Sequence, residues 1–244
     1  CRGRPPMHID RLIEVLMRFS YLIADCPEIA ELDMNPVLVT PDDVIALDAR
    51  VILDDRVIGQ DVAAYSHLAI RPYPEQFVRK TELSNGTPVT LRPIRPEDEP
   101  LWHELVANSS EETLYKRFNY IFGPTDHELA VRYCFIDYDR EIAIVCEHEK
   151  DDGQREFIGI ARLIADPDHD SAEYATLVAD AWQGKGAGTL LMQFCLDIAR
   201  EWKIRRLTAS TTRINTPMVR IFENSGFKID ESYEDQVVMV NMEL

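Results

Sequence analysis

The sequence predicts a mixed α+β (α/β) fold, a mixed central sheet flanked by helices and preceded by a small α/β fragment. Three observations carry this. A β-branched, apolar run (Ala175-Thr-Leu-Val-Ala179) leads into a turn containing Gly184, Gly186 and Gly188. A helix then follows, with Leu190, Leu191, Phe194, Ile198 and Trp202 at helical spacing. Strand-like and helix-like segments lie on both sides of this unit, and a proline-bearing stretch at 71–88 separates them from a smaller set near the N-terminus.

At 244 residues the chain has room for one large or two smaller domains. Its hydrophobic fraction of 45% and charged fraction of 28% are those of a globular protein. No apolar run reaches the length of a membrane span, and no signal peptide is visible. The formal net charge of −17 argues against binding to a nucleic-acid backbone. The five cysteines (Cys1, Cys26, Cys134, Cys146, Cys195) are widely spaced and lack a CxxC pair, so reduced thiols in a cytoplasmic protein are expected. The sequence opens Cys1-Arg-Gly-Arg without Met, so a piece of a longer protein is expected.

Residues 1–70 read as one unit. Asp10–Ala24 is an amphipathic helix whose stripe is Leu12, Ile13, Leu16, Phe19, Leu22 and Ile23, with Asp10 as its cap. Ile29–Val39 alternates like a strand, and Val44–Ala49 is a second strand across Pro41-Asp42-Asp43. On such a pair Asp33, Asn35 and Asp48 would share a face, either a solvated hairpin surface or an oxygen-rich one suited to Mg²⁺ with a nucleotide. Residues 71–88 form a stiff linker with a strand or turn of its own around Asn85-Gly86.

The second domain spans 89–244. Its expected order begins with strand Val89–Pro93, a helix from Pro96, and helices Glu111–Tyr120 and Asp126–Phe135 capped by Ser110 and Thr125. Strands Glu141–Cys146, Phe157–Ile164 and Ala172–Ala179 follow, then the long helix, strand Arg206–Thr212 and helix Asn215–Asn224. A closing hairpin uses Phe227–Tyr233 and Val237–Glu243.

Bare glycines let a backbone turn sharply and approach a ligand, and the N–H groups of a helix start favour an anion. The spacing fits neither a P-loop nor the strict dinucleotide fingerprint. Gln183-x-x-Gly186-x-Gly188 resembles the pyrophosphate-binding motif of the GNAT N-acetyltransferase superfamily, and the element order from 89 to 244 resembles that family's. The resemblance implies a GNAT fold with splayed central strands and acetyl-CoA as co-substrate. It implies pantetheine pairing at Leu177 and Val178, and diphosphate contacts from Gln183, Gly184, Lys185, Gly186, Ala187, Gly188 and Thr189. The side chains of Gln183 and Lys185 are candidates to add to these, with a solvated loop lysine the other reading of Lys185.

Asn215-Thr-Pro-Met-Val-Arg-Ile-Phe-Glu-Asn-Ser-Gly-Phe227 resembles a second segment of that family, in which the Asn contacts pantetheine; Asn215 is also a natural helix cap. Phe222 stands where that family usually has Tyr; the resemblance makes it a cofactor-binding residue that packs against the co-substrate, and no side chain is assigned as the acid. An ammonium must lose a proton before it attacks a thioester, and a lysine in water holds its proton up to about pH 10.4. Glu173, the one carboxylate within its strand, is the candidate base, with a solvated strand-end carboxylate as the alternative. His103, His127, His148 and His169 show no metal spacing, and Cys195, beside Phe194, is expected to be a packed thiol.

Glu31-Leu-Asp-Met-Asn-Pro36 and Ala46-Leu-Asp48 resemble the end of the ATP-grasp subunit of nucleoside-diphosphate-forming acyl-CoA synthetases. That match makes Asn35 and Asp48 metal ligands in the family, but most of the ATP-grasp fold has no counterpart here and no metal is expected. Together the two resemblances imply a protein lysine acetyltransferase acting on an acyl-CoA synthetase. A small-amine or peptide N-terminal acetyltransferase and a non-catalytic acyl-CoA sensor are the alternatives, and the oligomeric state stays open.

Overall fold

The computed structural model describes residues 7–62, 65–118, 123, 125–230 and 237–244. The chain divides into two compact units, Cys1–Pro72 and Tyr73–Leu244.

In the first unit, helix α1 (Ile9–Asp25) is followed by β1 (Ile29–Asp33), β2 (Val37–Val39), β3 (Val44–Ala46) and β4 (Arg50–Leu53). β1 pairs with β4 and β2 with β3, each antiparallel. The single strand expected over 29–39 is therefore two strands with different partners, interrupted at Pro36, which has no N–H to give to a ladder. Asp33 ends β1, while Asn35 and Asp48 lie in connections, so the three do not share a ladder. Among the described residues no group of three or more His, Cys, Asp or Glu is placed to hold a metal ion. The cap of α1 is His8, whose Nδ1 accepts from the Arg11 N–H at 3.2 Å; Asp10 lies inside the first turn instead. None of the described residues of this unit is buried, and Ile9, Ile13, Leu16, Met17 and Tyr21 of α1 are exposed.

The second unit is built on an eight-stranded sheet. Its strands are β5 (Arg79–Glu82), β6 (Pro88–Pro93), β7 (Glu141–Glu149), β8 (Arg155–Ala165), β9 (Ser171–Val178), β10 (Arg206–Thr212), β11 (Lys228–Asp230) and β12 (Val237–Glu243). The spatial order is β11-β12-β10-β9-β8-β7-β6-β5. All pairs are antiparallel except β9 with β10. The stretch expected as a linker contributes β5, the edge strand, joined to β6 through Ser84-Asn85-Gly86. Part of the expected strand 227–233 and the end of the expected helix 111–120 fall outside the described residues.

Period-two alternation sorts the core onto two faces. Ile142, Ile144 and Cys146 of β7 pack with α5 (Ala187–Glu201) and α6 (Thr216–Asn224). Ala143 and Val145 pack on the other face, with α2 (Glu99–Ala107), α3 (Glu111–Phe118) and α4 (His127–Cys134). The same alternation in β9 sends Tyr174 to the α5/α6 side and Leu177 to the α2–α4 side. Ser110 caps α3 by accepting from the Thr113 N–H at 3.2 Å, and α4 is capped by Asp126, not Thr125. Among the described residues no helix is long and apolar enough to cross a membrane.

Candidate active site

The sheet splits at its centre. β9 and β10 pair only from Ser171 with Arg206 to Tyr174 with Ala209. Beyond that point β9 continues against β8 to the Gly159–Val178 pair, while β10 continues against β12 to the Thr212–Val237 pair. Gly159 is what lets β9 lean this way. A Cβ there would lie 2.7 Å from the Leu177 carbonyl oxygen and 3.2 Å from Val178 Cα, both backbone atoms that cannot step aside. A cavity of about 420 Å³ opens at the split, with Thr176, Val178, Ser210 and Thr211 in its walls.

Strand alternation decides which peptide groups face the opening. The Ala179 N–H donates to Ile158 across the β8 side at 2.9 Å, and the register places Leu177 opposite Ile160, two residues on in each strand. Peptide groups of Leu177 therefore point at β8, and those of Thr176 and Val178 point at the split. Pantetheine pairing was expected at Leu177 and Val178; in this register the open edge belongs to Thr176 and Val178, and Leu177 contributes as a wall.

The turn after β9 begins with a 3-10 turn, Asp180–Trp182. Gly184 (φ +74°) and Gly186 (φ +92°) hold left-handed conformations that a side chain would strain. Gly188 faces α6, where a Cβ would meet Ile221 Cδ1 at 3.1 Å. The α5 N-terminus has no side-chain cap, so the first-turn N–H groups of Ala187, Gly188 and Thr189 remain available to an anion.

Two side chains expected at the diphosphate are engaged elsewhere. Gln183 Nε2 donates to the Val178 carbonyl and to Thr113 Oγ1, both at 3.1 Å, bracing the turn against β9 and α3. Its N–H donates to Asp180 O at 3.3 Å. Lys185 folds back, with Nζ 4.5 Å from the centre of the Trp182 ring. A cation over an aromatic face is a favourable resting place, so Lys185 is neither a free loop lysine nor a cavity residue here. Gln183, Gly184 and Gly188 line the cavity.

Glu173 is exposed, lines the cavity and lies on the α3 side of β9. Arg117 of α3 is close enough to feel its charge. Burial pulls the Arg117 guanidinium below its ordinary range and Arg162 adds to this, while Tyr133 and Glu173 oppose it. On the opposite face, Phe222 is buried and meets Tyr174 edge-on at 6.4 Å between ring centres. Burial lifts the Tyr174 phenol well above its ordinary range, making it a poor source of a proton for a thiolate. Asn215 sits at the α6 cap position, but its side chain does not cap. Its Nδ2 donates to Thr211 Oγ1 at 2.9 Å, at the cavity wall.

Thus Glu173, Leu177, Val178, Gln183, Gly184, Gly188, Asn215 and Phe222 converge on one cavity, and Lys185, Gly186, Ala187 and Thr189 form the turn beside it. Sequence reading missed three participants. Ser84 donates from Oγ to the Lys185 carbonyl at 2.8 Å, Asp180 binds the start of α3, and Arg117 shares the cavity wall with Glu173.

A split parallel pair leading into a glycine turn and an uncapped helix is the architecture of an acyl-CoA-binding transferase. Residues 108–227 match the family model described as "Acetyltransferase (GNAT) family", and residues 1–53 match "ATP-grasp domain". The second unit belongs to the GNAT acetyltransferases, enzymes that take their acyl group from acyl-CoA, and an ATP-grasp segment precedes it.

The chain is 27% identical over 248 residues to the acetyltransferase Pat of Mycolicibacterium smegmatis, covering 92% of this chain and 72% of that protein. The crystal structure of the GNAT domain of S. lividans PAT superposes with a TM-score of 0.64 at 27% identity, over 71% of this chain and 100% of that one. The N-terminal segment is 40% identical over 52 residues to the beta subunit of an ADP-forming acetate–CoA ligase I from Pyrococcus furiosus, 21% of this chain and 22% of that subunit.

The site fits an acyl-CoA. Gly188 keeps the helix start bare where a Cβ would crowd Ile221 in the cavity wall, an open strand edge suits an amide-bearing arm, and an uncapped helix start suits a diphosphate.

Proposed function

We propose that the chain is an acetyl-CoA-dependent protein lysine N-acetyltransferase that moves the acetyl group directly to a lysine ε-amine, its substrate an acyl-CoA synthetase. The observation that carries the catalytic part is the position of Glu173. It lies on the α3 face of β9, at a cavity that also reaches the glycine turn. The two Pat-type relatives and the ligase-like N-terminal segment support the choice of acceptor. Four described cysteines are unpaired, which suits the reducing cytoplasm.

Acetyl-CoA, when bound, supplies the acetyl group as a thioester. The N–H groups of Gly184 to Thr189 hold the diphosphate, and the open edge at Thr176 aligns the arm, the Val178 carbonyl being held by Gln183. Glu173 takes the proton from the incoming ammonium, leaving the neutral amine that attacks; as the C–N bond forms the C–S bond breaks, CoA departs as its thiolate, and the remaining surplus amine proton passes to water. The Val178 N–H faces the split and is the donor placed for the carbonyl oxygen as negative charge develops on it. Cys195 is fully buried and burial drives its thiol up; Cys134 and Cys146 are pushed up to about 12 by the same cause. No thiol among these is a nucleophile at neutral pH, which favours one-step transfer over a cysteine-bound acetyl.

Phe222 favours one competing reading, a non-catalytic acyl-CoA sensor. Incubation with labelled acetyl-CoA and a purified acyl-CoA synthetase separates them. Label on a synthetase lysine, lost with Glu173→Gln, supports the enzyme; tight acetyl-CoA binding with no label on any amine supports the sensor. Label on free polyamines or peptide N-termini, with the synthetase ignored, redirects the proposal to a small-amine or N-terminal acetyltransferase.

A further inference from the structure

We infer that Asp180 is a positioning residue that joins the cofactor side of the site to the acceptor side, so that acyl-CoA binding orders helix α3. The inference rests on the reading that the glycine turn holds acyl-CoA.

Asp180 opens the 3-10 turn two residues after β9 ends. Its carboxylate reaches sideways to the start of α3, seventy residues earlier in the chain. Oδ2 accepts the Ser110 N–H at 2.6 Å, and Oδ1 accepts the hydroxyls of Ser110 at 2.9 Å and Thr113 at 2.8 Å. Thr113 Oγ1 also accepts from Gln183 Nε2 at 3.1 Å, and the same amide group donates to the Val178 carbonyl. One continuous set of hydrogen bonds thus runs from α3 through Thr113 to both ends of the turn and to the last residue of β9.

A carboxylate at a helix start is doubly suited, since it satisfies orphan N–H groups and sits at the positive end of the dipole. Burial works to raise the Asp180 carboxyl, but the hydrogen bonds from Ser110 and Thr113 outweigh it and hold the group below its ordinary range. The ionised form is the one the site is built around.

What α3 carries gives the linkage its meaning. Thr113, Lys116, Arg117 and Phe118 line the same cavity as Glu173. The acceptor amine must approach Glu173 from this side. A turn that stiffens around a diphosphate therefore stiffens the helix that frames the acceptor, and by linkage the acceptor binds better to the acyl-CoA-loaded protein.

Hydrogen–deuterium exchange of the full chain with and without CoA tests this in wild type, Asp180→Ala and Thr113→Val. In wild type, CoA should slow exchange in both 184–190 and 110–118. In either variant CoA should still slow 184–190 while its effect on 110–118 disappears, and the acceptor KM should rise about tenfold with acetyl-CoA affinity changed less than about threefold. Asp180→Asn, which keeps the shape and one acceptor oxygen, should restore part of the linkage. Should Asp180→Ala not fold, Thr113→Val alone decides the matter. Wild-type protection of 184–190 without 110–118, or protection of 110–118 that survives in a folded variant, overturns the inference and leaves the acyl-CoA reading standing. CoA that protects neither segment of wild type removes both.

Discussion

Ser84 and Lys185 lie 101 residues apart, yet the Ser84 hydroxyl donates to the Lys185 carbonyl oxygen at 2.8 Å. The edge hairpin between β5 and β6 thereby holds the glycine turn from outside, opposite the side that Gln183 braces. At Gly186, an added Cβ would lie 2.9 Å from Ser84 Oγ and would also have to accept φ +92°. Two mechanisms thus oppose any side chain at 186. Gly186→Ala should destabilise by about 1–2 kcal/mol from the left-handed backbone alone and weaken CoA binding. Ser84→Ala should cost only the net worth of one hydrogen bond, about 0.5–1.5 kcal/mol. Denaturant unfolding and calorimetric CoA titration of both variants check the order.

Glu173→Gln should lower kcat by roughly 10²–10⁴-fold and leave the CoA dissociation constant within about twofold, because the residue is exposed and apart from the turn. Steady-state kinetics with a synthetase acceptor, beside a CoA titration, provides the measurement. Turnover within a few fold of wild type would show that a different base, or none, operates.

Alkylation with iodoacetamide at pH 8 should label the half-exposed Cys26 and spare Cys134, Cys146 and Cys195 in the native protein. Burial keeps the last three as thiols, and thiols do not alkylate at a useful rate. Activity should survive the treatment. Inhibition that tracks modification of Cys195 would contradict direct transfer.

The Asp180 carboxyl is held below its ordinary range in the folded protein. A depressed carboxyl stabilises the fold above its unfolded value, about pH 3.9, and that stabilisation fades as the pH falls through the lower folded value. Asp180→Asn should therefore flatten the acid limb of the stability profile. Its deficit relative to wild type should be full at pH 6 and shrink below about pH 4, as followed by urea midpoints at stepped pH.

Much of the site could be read from local chemistry. Glycines between an apolar strand and an apolar-striped helix give a strand–turn–helix corner from neighbouring residues alone, and alternation put Glu173 on the face of Leu177. The contacts that hold the corner depend on distant chain. Ser84 lies in a stretch that reads as a linker, and Asp180 as an ordinary loop acid until α3 packs against it. The engagement of Lys185 by Trp182 is likewise a matter of packing, since spacing alone equally allows a lysine turned toward a phosphate. Alternation over 29–39 reads as one strand, and the break at Pro36, with a different partner for each half, is set by the fold.

That none of the described residues of the first unit is fully buried has a calorimetric consequence. The heat-capacity rise on unfolding comes mainly from newly hydrated apolar surface, about 12–15 cal/mol/K per residue averaged over ordinary globular proteins. Side chains already in contact with water add little to it. The increment of this chain should therefore fall below that of 244 ordinary residues, about 2.9–3.7 kcal/mol/K, the shortfall arising in its first unit.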